Sequence, residues 1–189
     1  VEKRLLTSAT QGVQIPDFVG LKSAVVIDYL GTKSSQLEIK KVLSPSKDKL
    51  ETLKELIAHN GDKPGIVFCN FKDSIQRVSE FLSDHGVSHG VFQGGMEQVD
   101  RERSLIKFRN GSNRLLLATD LAARGIDVPE LGFIIHYHLP IKEEEFTHRN
   151  GRTARMNNNG TAYVILSKDE TYGDISPVSE IAKKATVLL

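Results

Sequence analysis

The sequence predicts an α/β fold, a parallel β-sheet flanked by helices on both faces. Two observations carry this. Short runs that are apolar at every position recur along the chain, and amphipathic segments of helical period lie between them. A strand that is apolar at every position, and not at every second one, is buried on both sides, as happens in parallel sheets covered by helices. The alternation of strand and helix is that of right-handed βαβ units.

In chain order, Ala24-Val25-Val26-Ile27 is the first expected strand. Leu50, Leu53 and Ile57 then recur at helical spacing, with Ser46 upstream as the N-cap. Ile66-Val67-Phe68-Cys69 is the next strand. Ile75, Val78 and Leu82 repeat the helical pattern, and Gly86 stands where a glycine would end that helix. Leu105 and Phe108 mark a third helix that stops at Asn110-Gly111. Three further strands are expected at Leu115-Leu116-Leu117-Ala118, Phe133-Ile134-Ile135 and Ala162-Tyr163-Val164-Ile165-Leu166. The tail reads as loop plus a short helix over residues 178–184. Ligands of such sheets bind beyond the carboxyl ends of the strands. The segments to inspect are therefore residues 70–73, 93–98 and 119–127, and the stretch after Tyr137.

The 189 residues suit one domain, with 39% hydrophobic and 26% charged residues to build a core and a solvated surface. Lys and Arg number 25 against 24 Asp and Glu, a net charge of +1, so any basic surface has to come from local clustering. Cys69 is the single cysteine; it sits in an apolar run and reads as a buried thiol. An intrachain disulfide is impossible, which fits a reducing compartment, and a cytoplasmic location is expected. The six histidines have no metal-ligand spacing, so no metal site is expected. No apolar run approaches the roughly 20 residues that span a bilayer, and no membrane partner is expected. No signal peptide opens the chain, and Val1 in place of Met reads as a fragment boundary.

Three segments carry chemistry. In His148-Arg149-Asn150-Gly151-Arg152-Thr153-Ala154-Arg155, three arginines recur every third residue, which puts them on neighbouring parts of one helical face. Guanidinium groups are permanently charged forks suited to phosphate oxygens, although a solvated basic turn would look the same. In Thr119-Asp120-Leu121-Ala122-Ala123-Arg124-Gly125-Ile126-Asp127, an apolar strand enters a loop with one Arg and two Asp. Loops on a rigid scaffold often hold function, and the alternative is a short helix capped by Asp120 and ended by Gly125. In Gln93-Gly94-Gly95-Met96-Glu97-Gln98-Val99-Asp100-Arg101, the glycine pair lets a backbone approach a ligand, and Gln98 and Arg101 share a face of the opening helical turn. By itself a Gly-Gly pair mostly means a turn.

In this order and spacing, the chain resembles the C-terminal half of DEAD-box ATP-dependent RNA helicases, from Ser8 to about Ser167. Ser8-Ala9-Thr10 looks like the motif that closes the first lobe of such enzymes. Val67-Phe68-Cys69-Asn70 looks like motif IV, residues 119–127 like motif V, and residues 148–155 like motif VI. The resemblance implies a RecA-like lobe without its own phosphate loop: Gly31-Thr32-Lys33-Ser34 lacks the Gly-Lys pair. It divides the chain into a remnant of the first lobe and linker (residues 1–17), the helicase C-terminal domain (18–168) and an extension (169–189).

The resemblance further implies that this lobe closes with an N-terminal RecA-like lobe around ATP and single-stranded RNA. Arg152 and Arg155 would be arginine fingers, groups worth about 10³–10⁵ in rate in phosphoryl transfer. His148 would couple closure to chemistry, Arg149 would brace the segment, and Asp127 would accept from the nucleotide ribose. Mg²⁺ would be supplied by the first lobe, and the fragment alone would be inactive. Asn70, Gly95, Gln98, Arg101, Thr119 and Arg124 would line a track for RNA that grips phosphates and 2′-hydroxyls with little sequence preference. Motif VI departs from the common pattern at Asn150, usually apolar, and Ala154, usually glycine. A DNA translocase and a regulatory RecA-like module are the competing classes. The intact Arg152 and Arg155 argue against the second.

Overall fold

The computed structural model describes residues 37–123, 128, 130–153, 159–167, 170 and 186–188. The expectations for residues 1–17, the strand at 24–27, the Gly31–Ser34 segment and the tail helix at 178–184 lie outside them.

The described elements are β1 (Leu37–Ser44), α1 (Leu50–Asn60), β2 (Gly65–Phe68), α2 (Lys72–Asp84), β3 (Gly90–Phe92), α3 (Gln98–Arg109), β4 (Leu115–Ala118), α4 (Asp120–Ala123), β5 (Phe133–His136), α5 (Glu143–Asn150), β6 (Gly160–Ser167) and β7 (Thr186–Leu188). They build a seven-stranded sheet in the order β3-β4-β2-β5-β6-β1-β7. All of its pairings are parallel, with Val67 opposite both Leu117 and Ile135.

The runs that are apolar at every position serve two cores. Val67, Leu117 and Ile135 face one side, where Leu53 of α1 and Ile75, Val78 and Leu82 of α2 cover them. Ile66, Phe68, Leu116 and Ile134 face the other, against Phe108 of α3 and Ala122 and Ala123 of α4. Phe146 of α5 packs on Val164 and Leu166. Each Val, Leu, Ile or Phe among these, taken from water to full burial, contributes about 1.5–3 kcal/mol. Gly65 opens β2 because Phe133 leaves no room for a side chain: a Cβ there would lie 2.2 Å from the ring.

The ends of α2 and α1 contrast. At the end of α2, Gly86 takes φ +69, and the Gly86 and Val87 amides donate to the Ser83 and Leu82 carbonyls at 3.0 and 2.9 Å. This is the glycine stop read from the sequence, a Schellman closure. Ser46, expected to cap α1, does not. Its hydroxyl donates to Asp48 Oδ1 at 3.0 Å, and that same oxygen accepts the Leu50 amide at 3.3 Å. The residue just before α1 is Lys49, in the left-handed region at φ 58. Its buried ammonium reaches Glu170 at 2.9 and 3.0 Å and the Ile165 carbonyl at 3.4 Å. Those distant partners give a physical reason for the unusual backbone. Burial opposes ionisation of Glu170, but hydrogen bonds from the Ser167 amide and from Lys49 outweigh it and hold the carboxyl below its ordinary range.

Candidate functional site

In a parallel sheet every strand delivers its carboxyl end to the same edge. Here that edge receives Asn70 after β2, Thr119 and Asp120 after β4, and His136 to Leu139 at the end of β5. Arg149, on the last turn of α5, ties these ends together. It is 1% exposed. Its Nε donates to Asp120 Oδ1 at 2.6 Å and its Nη2 to Asp120 Oδ2. Nη2 also donates to Asn70 Oδ1 at 2.8 Å, and Nη1 donates to the His138 carbonyl at 2.8 Å. The guanidinium carbon lies 5.1 Å from the centre of the Phe68 ring. A fork with both edges engaged is the arrangement that offsets the desolvation of a buried cation, and removing one partner of such a pair costs about 3–5 kcal/mol. Arg149 is thus a brace between three strand ends.

Asn150 completes the arrangement. It is buried, and its Oδ1 lies 2.9 Å from His136 Nε2, while Arg149 Nη1 lies 3.4 Å from His136 Nδ1. Arginine can only donate, so Nδ1 accepts and Nε2 carries the proton that Asn150 accepts. The amide at this usually apolar position therefore packs against a polar partner from β5. Burial, then the Arg149 charge, push the His136 pKa from 6.5 down to about 3. His138, whose Nδ1 accepts the Asn70 amide at 3.3 Å, is pushed down to about 4 by burial and the nearby Lys49. Both imidazoles are neutral near pH 7. Cys69 is fully buried as expected, and burial lifts its thiol to about 12, which leaves it inert.

Two recesses open on this edge. In the smaller, His148 and Arg152 stand beside Phe68, Asp120 and Arg149. Arg152 is half-buried and its Nη2 donates to the Ala123 carbonyl at 3.3 Å, while His148 is exposed. The larger is an open groove of about 440 Å³, walled by Asn70, Gly94 and Thr119 together with Phe71, Lys72, Leu121 and Lys142. Asp120 and Glu145 line both recesses, so the two are neighbours.

Of the residues singled out from the sequence, Asn70 and Thr119 reach the groove, as does Gly94 next to Gly95. Gly95 takes φ +92, and the Lys72 ammonium lies 3.0 Å from where a Cβ would sit. Both ends of the Asn70 amide are engaged, Oδ1 with Arg149 and Nδ2 with the Leu139 carbonyl at 2.8 Å. Gln98 and Arg101 stand on the first turn of α3, not on the groove wall. Gln98 donates to Glu102 at 2.8 Å, and Arg101 lies 5.0 Å over the Phe92 ring. Arg124, Asp127, Ala154 and Arg155 lie outside the described residues. Asp120 does open α4, but the sequence reading of it as a cap missed its pairing with Arg149. His136 was missed, and its place directly after the Phe133-Ile134-Ile135 run was the one available signal. Phe71 and Lys72 lie in the 70–73 segment, where the sequence assigned a role to Asn70 alone. Among the described residues, no three His, Cys, Asp or Glu side chains gather as metal ligands.

Comparison with known proteins places the domain in a family. The helicase conserved C-terminal domain matches residues 48–157. The ATP-dependent RNA helicase DbpA of Escherichia coli (strain K12) is 39% identical over 125 residues, covering 66% of this chain and 27% of that protein. A crystal structure of a DEAD box protein from the hyperthermophile Methanococcus jannaschii superposes with a TM-score of 0.73 at 32% identity, over 82% of this chain and 42% of that one. Dbp5 of S. cerevisiae, solved bound to RNA and ADP BeF3, shares the fold at a TM-score of 0.71 and 24% identity, over 82% of this chain and 41% of that one. The chain spans 20%, 27% and 32% of the length of three curated relatives that it matches, and 11% of a fourth. With the parallel sheet, the motif order and these matches together, the chain belongs to the family of helicase conserved C-terminal domains, as the C-terminal RecA-like domain of DEAD-box RNA helicases.

Proposed function

We propose that this domain is the second lobe of an ATP-dependent RNA helicase, acting in the cytoplasm, which closes with an N-terminal RecA-like lobe on ATP and single-stranded RNA. Arg152 and Arg155 are the fingers that reach the nucleotide phosphates across the closed cleft, His148 bonds into the first lobe, and Asp127 accepts from the ribose. Asn70, Gly95, Gln98, Arg101, Thr119 and Arg124 carry the RNA strand through backbone groups and hydrogen-bond donors, with little sequence preference. Mg²⁺ would be held by the first lobe, where it would supply neutralisation of phosphate charge.

The observation that carries this reading is the adjacency of the two recesses. Arg152 and His148 occupy one, Asn70 and Thr119 the other, and Asp120, clamped by Arg149, lies between them. A nucleotide at the first and a strand at the second would both pull on the same braced edge. If each ligand touches both lobes only when they are closed, each favours closure and so helps the other bind. Closure would then bend the strand and expel its complement, and hydrolysis would let the lobes part. The lobe alone hydrolyses no ATP.

The test is ATP hydrolysis by the full-length protein with and without single-stranded RNA, beside Arg152→Ala. RNA-stimulated turnover that falls by about 10³-fold or more in the variant is expected. Stimulation that survives the substitution would remove Arg152 from the finger role, and a wild type without turnover would overturn the helicase reading.

A further inference from the structure

The groove at the carboxyl edge has a feature that backbone contacts to RNA do not use. Phe71, just ahead of α2, is 61% exposed on its wall. Leu121 and Ile141 line the same groove and are exposed too, at 76% and 69%. The Phe71 ring is oriented and does not hang free: it meets His138 edge to face, with centroids 6.0 Å apart, and His138 in turn meets Tyr137 at 4.9 Å. His138 is itself held by the Asn70 amide. An aromatic ring is thereby presented to solvent by two others behind it.

Charge at the groove is one-sided. Lys72 and Lys142 line it, and neither side chain has a hydrogen bond or ion pair among the described residues. The Lys72 ammonium stands over the Gly94-Gly95 turn. Of the acids, Asp120 is neutralised by Arg149, and Glu145 is not free either. The groove thus offers an apolar, partly aromatic wall with two available cations beside it. That combination matches a nucleotide, which has a flat apolar base and an anionic phosphate, and a volume of about 440 Å³ accommodates one.

We propose that Phe71 is a stacking platform for one base of the bound strand, with Lys72 taking a neighbouring phosphate. The proposal rests on the RNA-binding reading and adds a base contact to it. Every base has a π-face, so such a platform tolerates sequence while still requiring a base at that position. It predicts strand binding that is indifferent to base identity at most positions and sensitive to base removal at one.

The experiment is equilibrium binding of ten-nucleotide single-stranded RNAs to the full-length protein at fixed salt, with an abasic nucleotide moved one position at a time. Wild type should lose at least about fivefold in affinity at one position relative to the others. Phe71→Ala should lose about as much on the intact strand and show a flat abasic scan, and Phe71→Tyr should restore both. The side chain is exposed, so the core does not depend on it, and the abasic scan of the wild type needs no variant at all. A wild type that binds no RNA would sink the RNA reading together with the platform. RNA binding that is intact in Phe71→Ala, with a flat scan in the wild type, would sink the platform alone and leave the apolar patch to a protein partner.

Discussion

Replacing Asn150 with leucine removes the acceptor that faces His136 inside the domain. The His136 Nε2–H then points at a methyl group in a site from which water is excluded, since His136 is fully buried and Asn150 nearly so. Leaving a buried donor unsatisfied costs about 1–3 kcal/mol. Leucine recovers part of this by apolar burial, so a net loss of about 1–2 kcal/mol is expected, or roughly 2–4 °C in Tm per kcal/mol for a domain of this size. Making the partner apolar as well, as His136→Phe, should return most of the loss, because a polar pair replaced on both sides by apolar groups is close to neutral. The double-mutant cycle on this chain, read by urea denaturation, should therefore show coupling of about 1 kcal/mol or more. Nitrogen chemical shifts of the imidazole should independently report the Nε2–H tautomer. A neutral or stabilising Asn150→Leu single variant, or an Nδ1–H tautomer in the wild type, would refute the reasoning.

Two further outcomes follow from the same interior. His136 and His138 have folded pKa values lowered to about 3 and about 4 from 6.5, so in mild acid the unfolded chain binds protons that the folded chain does not. Stability should be complete above about pH 6.5 and fall as the pH drops toward 4, by up to about 1.4 kcal/mol per pH unit for each histidine, and urea midpoints flat between pH 7.5 and 5 would contradict this. Gly65→Ala should destabilise by about 1–3 kcal/mol because its Cβ meets the Phe133 ring at 2.2–2.5 Å, and Phe133→Leu should relieve part of that in the double variant; a neutral Gly65→Ala in thermal melts would show that the ring yields.

The strands β2, β4, β5 and β6 and the helices α1, α2 and α3 were legible because each carries its own local pattern. Four consecutive apolar residues, as in Ile66-Val67-Phe68-Cys69, mean burial on both faces whatever the neighbours are. Two of the strands that went unread are edge strands, where that pattern has no cause to exist. β3 and β7 have three residues each. β1 runs beside the edge with Lys40 and Lys41 in its middle, and it is mostly half-buried. In α5, Phe146 is the one apolar side chain, so no amphipathic period could betray it.

The candidate site divides the same way. The arginines, glycines and amides of the motifs are spaced along the chain, and spacing is what a sequence displays. Their placement on strand ends follows from the βαβ order, so the edge where they gather was also predictable. What each side chain touches was not. Arg149 meets Asp120, 29 positions away, and Asn70, 79 positions away. Asn150 meets His136 across the β5–α5 connection. A buried hydrogen bond depends on which strand lies beside which and in what register, and on water having been excluded from between them. No local property of either residue encodes that. The sequence by itself therefore determined the four central strands β4, β2, β5 and β6, the helices α1, α2 and α3, and the edge that carries the motifs. Tertiary packing decided which of those polar residues became the interior brace and which were left lining the two recesses.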